Sequence, residues 1–355
     1  MIGQFNFGQM DGTIVQGFEL RNSNGLLAKL ITYGARLTEF HAPDRNGANA
    51  DIVLGFDRIE DYIATNTYFG ATCGRYGNRI HDGRFELGGA TVNVGKNEGQ
   101  NHLHGGHIGF DRKIWQATVD EPNNAVTFTM VSNDGDEGFP GNVLLAVTYA
   151  LSEDNHLKIH MRGITDKQTV LNTVHHTYWN LAGHSSGDVL KQVLHLNSNF
   201  YTPVDEELIT TGEILKVADT VFDFRKPKPI GQDIHALSDV GTGDLVGGGY
   251  DHNWCLNGDG NMLHLCAEVR DPASGRCMEL RTSEPGVQFY TGGYLDDKVI
   301  GKLGLPYCRF AGFTFETQKF PNAPNFSHFQ SSALKSDVVY DHYMVFRFFL
   351  NDPPY

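Results

Sequence analysis

Apolar and polar residues alternate with a period of two through much of this chain. The stretches Leu26–Thr32, Val126–Val131, Leu144–Leu151, Leu157–Met161, Val189–Leu196, Leu263–Val269, Val287–Thr291, Phe310–Thr317 and Tyr343–Leu350 are rich in β-branched and aromatic residues and predict strands. Between them lie turn pairs: Asn24-Gly25, Asn46-Gly47, Gly88-Gly89, Asp134-Gly135 and Asn257-Gly258. The longest apolar run, Val143–Leu151, predicts a buried strand. Helical periodicity is confined to two short stretches, Ile59–Ala64 and Gly231–Ser238. Strands do not alternate with helices, which argues against a parallel βαβ sheet. No repeat of fixed period and no Pro/Ser-rich linker divides the chain, and the Gly-rich stretch Gly241–Gly249 reads as a loop because strand patterning resumes at once. The expectation is therefore an all-β fold over residues 1–355, a single domain built as a large antiparallel β-sandwich of two extended sheets. Its concave face or its loop ends would carry a site.

Composition narrows this picture. Glycine supplies 41 of 355 residues, above the usual share of about 7%, and that excess suits tight turns better than long helices. Lys plus Arg is 28 and Asp plus Glu is 42, a net charge of −14, which disfavours nucleic-acid and anionic membrane partners. A hydrophobic share of 40% is enough for a sizeable core. The cysteines at 73, 255, 266, 277 and 308 form no C-x-x-C pair, so buried, reduced thiols are expected rather than a disulfide framework or a thiolate zinc site. The opening residues Met1-Ile2-Gly3-Gln4-Phe5-Asn6 lack a basic stretch before an apolar run, and no apolar run reaches the length of a membrane span. A cytoplasmic protein, monomeric or a weak homodimer, is the expectation.

Four clusters could carry chemistry. In Asn101-His102-Leu103-His104-Gly105-Gly106-His107, a strand would put His102 and His104 on one side, as metal ligands often are. A third ligand is missing at any persuasive spacing, and the glycines point to a turn, so a substrate-facing His is favoured over a metal ligand or a structural His. In Thr173-Val174-His175-His176-Thr177-Tyr178-Trp179, the two imidazoles point to opposite faces of a strand, and at most one serves a given site. A His near neutral pH is a natural acid or base; the bland alternative is a hydrogen-bonded core His. Gly249-Tyr250-Asp251-His252-Asn253-Trp254 places hydroxyl acceptors beside rings that could cover the C–H face of a pyranose, though a plain turn would look alike. Glu316 alternates with apolar residues in Phe313-Thr314-Phe315-Glu316-Thr317-Gln318, where a carboxylate is either solvated, paired or retained for function. Two further matches carry little. Gly183-His184-Ser185-Ser186-Gly187 fits a nucleophile elbow only in a strand-turn-helix setting that this chain lacks, and the glycines of 241–249 open no helix for a phosphate.

Taken in order, these segments resemble the aldose 1-epimerase family, the galactose mutarotases. Gly74-Arg75-Tyr76-Gly77-Asn78-Arg79-Ile80 is similar to that family's G-R-x-x-N-R-I, and Asn101-His102-Leu103-His104-Gly105-Gly106 to its N-x-L-H-G-G. His176-Thr177-Tyr178-Trp179-Asn180-Leu181 resembles its H-[ST]-Y-[FW]-N-L, and Asp251-His252-Asn253 its D-H-N. Pro285-Gly286-Val287-Gln288-Phe289-Tyr290-Thr291-Gly292, Glu316-Thr317-Gln318 and Pro321-Asn322-Ala323-Pro324-Asn325 resemble the remaining segments, P-G-x-Q-x-Y-[TS]-G, E-T-Q and P-x-x-x-N.

The resemblance implies a mutarotase-like supersandwich and an aldose 1-epimerase acting on free aldoses such as galactose and glucose. It implies His176 as general acid and Glu316 as general base. Asn78, Arg79, His104, Tyr178, Asp251 and Gln288 would hold the sugar, with no metal and no cofactor. Ring opening fits this set, since one group must take the C1 hydroxyl proton while another protonates the ring oxygen. One departure stands out: the position before the catalytic His is commonly Asn in the family and is His175 here, which leaves open which imidazole is nearer the sugar. Alternative readings keep the fold but take a pentose or a hexose 6-phosphate, or bind sugar without catalysis. A metal-dependent hydrolase built on the His clusters is the remaining option.

Overall fold

The computed structural model describes residues 1–240, 249–258 and 263–351, so the Gly241–Gly249 stretch lies, but for Gly249, outside the described residues. Among the described residues three antiparallel sheets dominate. The first is a five-stranded meander: Gly3–Met10, Thr13–Arg21, Leu27–Ile31, Arg36–Pro43 and Asn49–Asp51. The second has nine strands, ordered Gln116–Asp120, Ala125–Ser132, Val143–Leu151, His156–Thr165, Tyr340–Leu350, Arg276–Thr282, His264–Arg270, Val193–Leu196 and Lys228–Pro229. The third has six, ordered Tyr178–Trp179, Phe313–Gln318, Gly286–Tyr290, Asp251–Leu256, Ser198–Thr202 and Leu215–Lys216.

Period-two side-chain alternation explains what each sheet does. One hydrophobic core draws on all three: Phe18 and Leu20 from the first, Phe128 and Val147 from the second, Phe289, Phe313 and Phe315 from the third. In the nine-stranded sheet only one face is covered. Along Val143–Leu151 the odd positions are buried, whereas Leu144 is 46% exposed; the run predicted as a buried strand buries one face. The six-stranded sheet is covered on both faces from Tyr178–Trp179 to Asp251–Leu256, whereas Leu215–Lys216 at its far edge is exposed. Its strand Phe313–Gln318 is buried at every position, with Phe313 and Phe315 turned to the core and Thr314, Glu316 and Gln318 to the opposite side.

Other expectations need correction. Among the described residues there are three larger sheets rather than two, with four two-stranded ones beside them. Ile59–Ala64 is the predicted helix, but Gly231–Ser238 forms a 3₁₀ turn of the chain over Ile234–Val240. The five cysteines are unpaired, and three of them, Cys73, Cys266 and Cys277, are buried; Cys255 is partly buried and Cys308 is exposed, so burial of all five thiols does not hold. No described helix is long and apolar enough to cross a membrane.

Candidate active site

The second face of the six-stranded sheet floors a cavity of about 260 Å³, just below the usual range of about 300–1,000 Å³ for small-molecule sites. Register brings its polar residues together. Gln288 lies opposite both Asn253 and Glu316 on neighbouring strands, and Tyr290 lies opposite Asp251 and Thr314. Directly opposite residues in antiparallel strands share a face, so one side of this sheet collects Asp251, Gln288, Tyr290 and Glu316 although the sequence spreads them over sixty-odd positions.

Two further segments close the cavity. Arg79–Ile80 pairs with His102–Leu103, with Arg79 opposite Leu103. The strand ends there: His104 has φ 49° and is followed by Gly105 at φ 97° and Gly106 at φ 98°. A side chain at Gly105 would stand 1.8 Å from the Gly74 carbonyl oxygen, so the turn requires glycine. His102 and His104 therefore do not share a face, contrary to the strand expectation. His102 Nδ1 bonds the Gly95 carbonyl oxygen at 2.7 Å and its ring packs on Phe139, while His104 lines the cavity. Val174–His176 pairs with Ala71–Cys73 and parts the adjacent imidazoles. His175 is buried away from the cavity, bonded to Thr177 Oγ1 at 2.6 Å and to the Tyr149 hydroxyl at 3.3 Å. His176 faces the cavity, so of the two it is the imidazole at the site.

At the floor, His176 Nε2 lies 3.4 Å from Glu316 Oε1 and His104 Nε2 lies 3.9 Å from Glu316 Oε2. Thr314 Oγ1 donates to Glu316 Oε1 at 2.9 Å, while Glu316 Oε2 has no hydrogen-bond partner among the described residues. Burial pushes the Glu316 carboxyl up to about 8; the nearby Asp251 adds to the shift, and Thr314 and Arg79 oppose it. Burial also lowers His176 to about 3 and holds His104 well below the ordinary imidazole range. These shifts leave the Glu316 carboxyl protonated and His176 neutral near pH 7.

The other anticipated residues divide. Asn78, Arg79, Tyr178 and Asp251 line the cavity. Gln288 is buried on the same sheet face, where its Nε2 donates to Asp251 Oδ1 at 2.7 Å. Among the described lining residues that the motif reading did not single out, three touch the anticipated ones. Glu98 makes a two-point ion pair with Arg79, Tyr68 sets its ring 4.8 Å from that of His104 and 5.5 Å from that of His176, and Tyr290 sets its ring 5.8 Å from that of Tyr178. Tyr290 lies within a quoted segment and could have been suspected from its alternation with Gln288. Glu98 and Tyr68 belong to no motif.

His104, His176 and Glu316 also offer three ligand atoms within 4.8 Å of one another, a donor set that zinc uses. The third ligand that local spacing lacked thus comes from other strands. The hydrogen bonding argues against metal all the same. The Asn78 backbone N–H donates to His104 Nδ1 at 3.2 Å, which assigns the ring proton of neutral His104 to Nε2, the atom that faces Glu316. A metal at Nε2 would move that proton to Nδ1, against another N–H. The trio as held suits proton donation, not ligation. A second cluster, Glu39, His41 and Asp51, has its carboxylates bonded to Lys29 and Lys302.

With this geometry in hand, comparison with known proteins is informative. The aldose 1-epimerase family model matches residues 16–347. Galactose mutarotase from Bos taurus is 40% identical over 334 residues, 94% of each chain. Aldose 1-epimerase from Haemophilus influenzae is 38% identical, covering 93% of this chain and 94% of its own. Among solved structures, an aldose epimerase homologue from C. elegans superimposes with a TM-score of 0.86 at 30% identity, over 94% of this chain and 98% of that one. Galactose 1-epimerase from Lactobacillus acidophilus gives 0.85 at 27% identity over 99% of both.

Proposed function

The chain belongs to the aldose 1-epimerase family and interconverts the α and β anomers of free aldoses; we propose that Glu316 and His176 carry the two proton transfers and that galactose and glucose are substrates. The observation that supports this most directly is the buried Glu316 carboxylate facing two imidazoles on the floor of the cavity, one oxygen without a hydrogen-bond partner among the described residues.

Ring opening starts from the ionised pair. Carboxylate Glu316 takes the C1 hydroxyl proton as imidazolium His176 gives one to the ring oxygen. The C1–O5 bond breaks and the open-chain aldehyde remains. Rotation about C1–C2 presents the other carbonyl face. In closure, His176 takes the C5 hydroxyl proton, the freed oxygen attacks C1, and the Glu316 carboxyl returns its proton to the former carbonyl oxygen. Protons balance over the cycle, and the pair holds one throughout. Protonated Glu316 and neutral His176, the forms that burial favours, are the ones that closure uses. Opening needs the same proton on His176, 3.4 Å away. Hydroxyl groups donating to the carboxylate would stabilise that ionised state. Arg79, His104 and Asp251 orient the sugar, the Nε2–H of His104 as donor and Asp251 as acceptor. We also read residues 1–355 as one domain, supported by the core that its sheets share.

The charge of the cavity supports neutral sugars over hexose 6-phosphates. Among the described lining residues are the carboxylates Glu98, Asp251 and Glu316 and one guanidinium, Arg79, already paired. The other cations considered for a phosphate are engaged elsewhere: Arg75 with the carbonyls of Ser132, Asn133, Pro140 and Gly141, and Lys319 with Glu284 at 2.5 Å. Polarimetry on freshly dissolved α-galactose, α-glucose and glucose 6-phosphate tests this. The expected result is acceleration of the neutral sugars with kcat/KM at least about 100-fold above that for the phosphate, from charge repulsion in a confined site. Equal turnover of the phosphate would overturn the assignment.

A further inference from the structure

We propose that Glu98 is a positioning residue of the sugar site, holding the Arg79 guanidinium by two hydrogen bonds so that its free edge, and not the whole group, faces the cavity. The proposal rests on the assignment of Arg79 to the sugar made above.

The geometry is specific. Arg79 Nε donates to Glu98 Oε2 and Arg79 Nη2 to Glu98 Oε1, both at 2.6 Å. This side-on, two-point pairing fixes the plane of the guanidinium as well as its position. The Arg79 side chain is 7% exposed and that of Glu98 36%, so the arginine forms the wall and the glutamate braces it from the rim.

The brace is itself built in. The backbone N–H of Glu98 donates to the Asn101 carbonyl at 3.1 Å and that of Asn101 to the Glu98 carbonyl at 2.8 Å, which closes a turn whose Gly99 has φ 58°. Asn101 is buried; its Oδ1 accepts from the Asp82 backbone N–H at 2.9 Å and its Nδ2 donates to Glu207 at 2.8 Å. One residue beyond the turn begins the strand that pairs with Arg79. Nineteen residues separate the ion-pair partners, yet this short pairing returns Glu98 to Arg79.

The cavity needs such a brace. Among its described lining residues Arg79 is the lone guanidinium facing the carboxylates Glu98, Asp251 and Glu316. An unheld arginine would be drawn to Asp251, removing an acceptor that the sugar uses. Glu98 satisfies the charge of Arg79 from the rim and leaves Asp251 to Gln288 and the ligand.

The test is steady-state polarimetry on galactose with melting temperatures alongside. Glu98→Gln keeps the shape but loses the charge and opposes an N–H with its amide. KM should rise on the order of tenfold with kcat within about threefold of the parent, the signature of lost binding rather than lost chemistry. Glu98→Asp, too short to reach both nitrogens, should raise KM by an intermediate factor. In an Arg79→Ala background, adding Glu98→Gln should change KM no further, since both act through one group. A purely structural glutamate would lower the melting temperature and add its loss in either background. Parental KM in folded Glu98→Gln, or additive losses in the double variant, would overturn the proposal; if Glu98→Gln does not fold, parental KM in Glu98→Asp does so. Parental KM in Arg79→Ala would instead defeat the sugar-site assignment and the proposal with it. A raised KM in Arg79→Ala with no change in Glu98→Gln defeats only the role of Glu98.

Discussion

Two strands of similar sequence pattern, Val143–Leu151 and Phe313–Gln318, end in opposite situations. Both alternate apolar residues with smaller or polar ones. In the first, every second side chain leaves the core for open surface: Leu144 is exposed and sits in register between Val131 and Ile164, which are exposed as well. In the second, every second side chain leaves the core for a covered cavity, and all six positions are buried. Alternation therefore says which residues share a face, not what that face meets. A polar residue facing water costs little to keep. A carboxylate enclosed beside two imidazoles is expensive to desolvate, and its retention there is what a proton-transfer role explains.

The comparison would break first at Glu316. Glu316→Gln keeps the volume but cannot accept the C1 proton, and kcat should fall by about 10²- to 10⁴-fold, the usual contribution of a positioned base. Stopped-flow or conventional polarimetry on galactose reads it; near-parental kcat in the folded variant would remove the carboxylate from the chemistry.

The same substitution should change the pH dependence of stability. The folded pKa of Glu316 is raised from 4.5 to about 8, so the folded state holds this proton more tightly than the unfolded one. The resulting stability is fully present below about pH 4.5 and is lost as pH rises through 8. Gln does not titrate. Glu316→Gln should gain melting temperature relative to the parent between pH 5 and pH 9, by at least about 2 °C, the shift expected for roughly 1 kcal/mol. His176 carries the opposite sign: its lowered pKa favours the folded state above about 6.5 and costs stability as pH falls towards 3. Both proteins contain it, so it largely cancels. A constant difference across this range would mean that Glu316 is not buried in solution as it is here.

The smallest effect belongs to the other strand. Leu144→Thr removes an exposed apolar side chain on a wet sheet face and should leave kcat unchanged and stability within about 0.5 kcal/mol. A loss of activity would show that the nine-stranded sheet communicates with the cavity on the far side of the core.

What the sequence alone determined is considerable. Period-two alternation and turn pairs specify an antiparallel all-β fold, because the pleat itself imposes that period. Segments in a fixed order identify the family, and alternation marks Glu316 as a polar residue on an apolar strand. Only the tertiary structure decided how the alternating faces are used. It shows that the exposed face of Val143–Leu151 is not core, that a third sheet exists, and that His176 rather than His175 meets the cavity, since the parity of a strand gives two sides but not which one is the site. It turns His104 away from the line of His102, because the glycines after it end the strand. It bonds Gln288 to Asp251 and brings Glu98 to Arg79. The reason is the same in each case. Hydrogen-bonded register between strands distant in sequence, and short turns anchored on buried side chains, set distances of a few ångströms that no local pattern encodes.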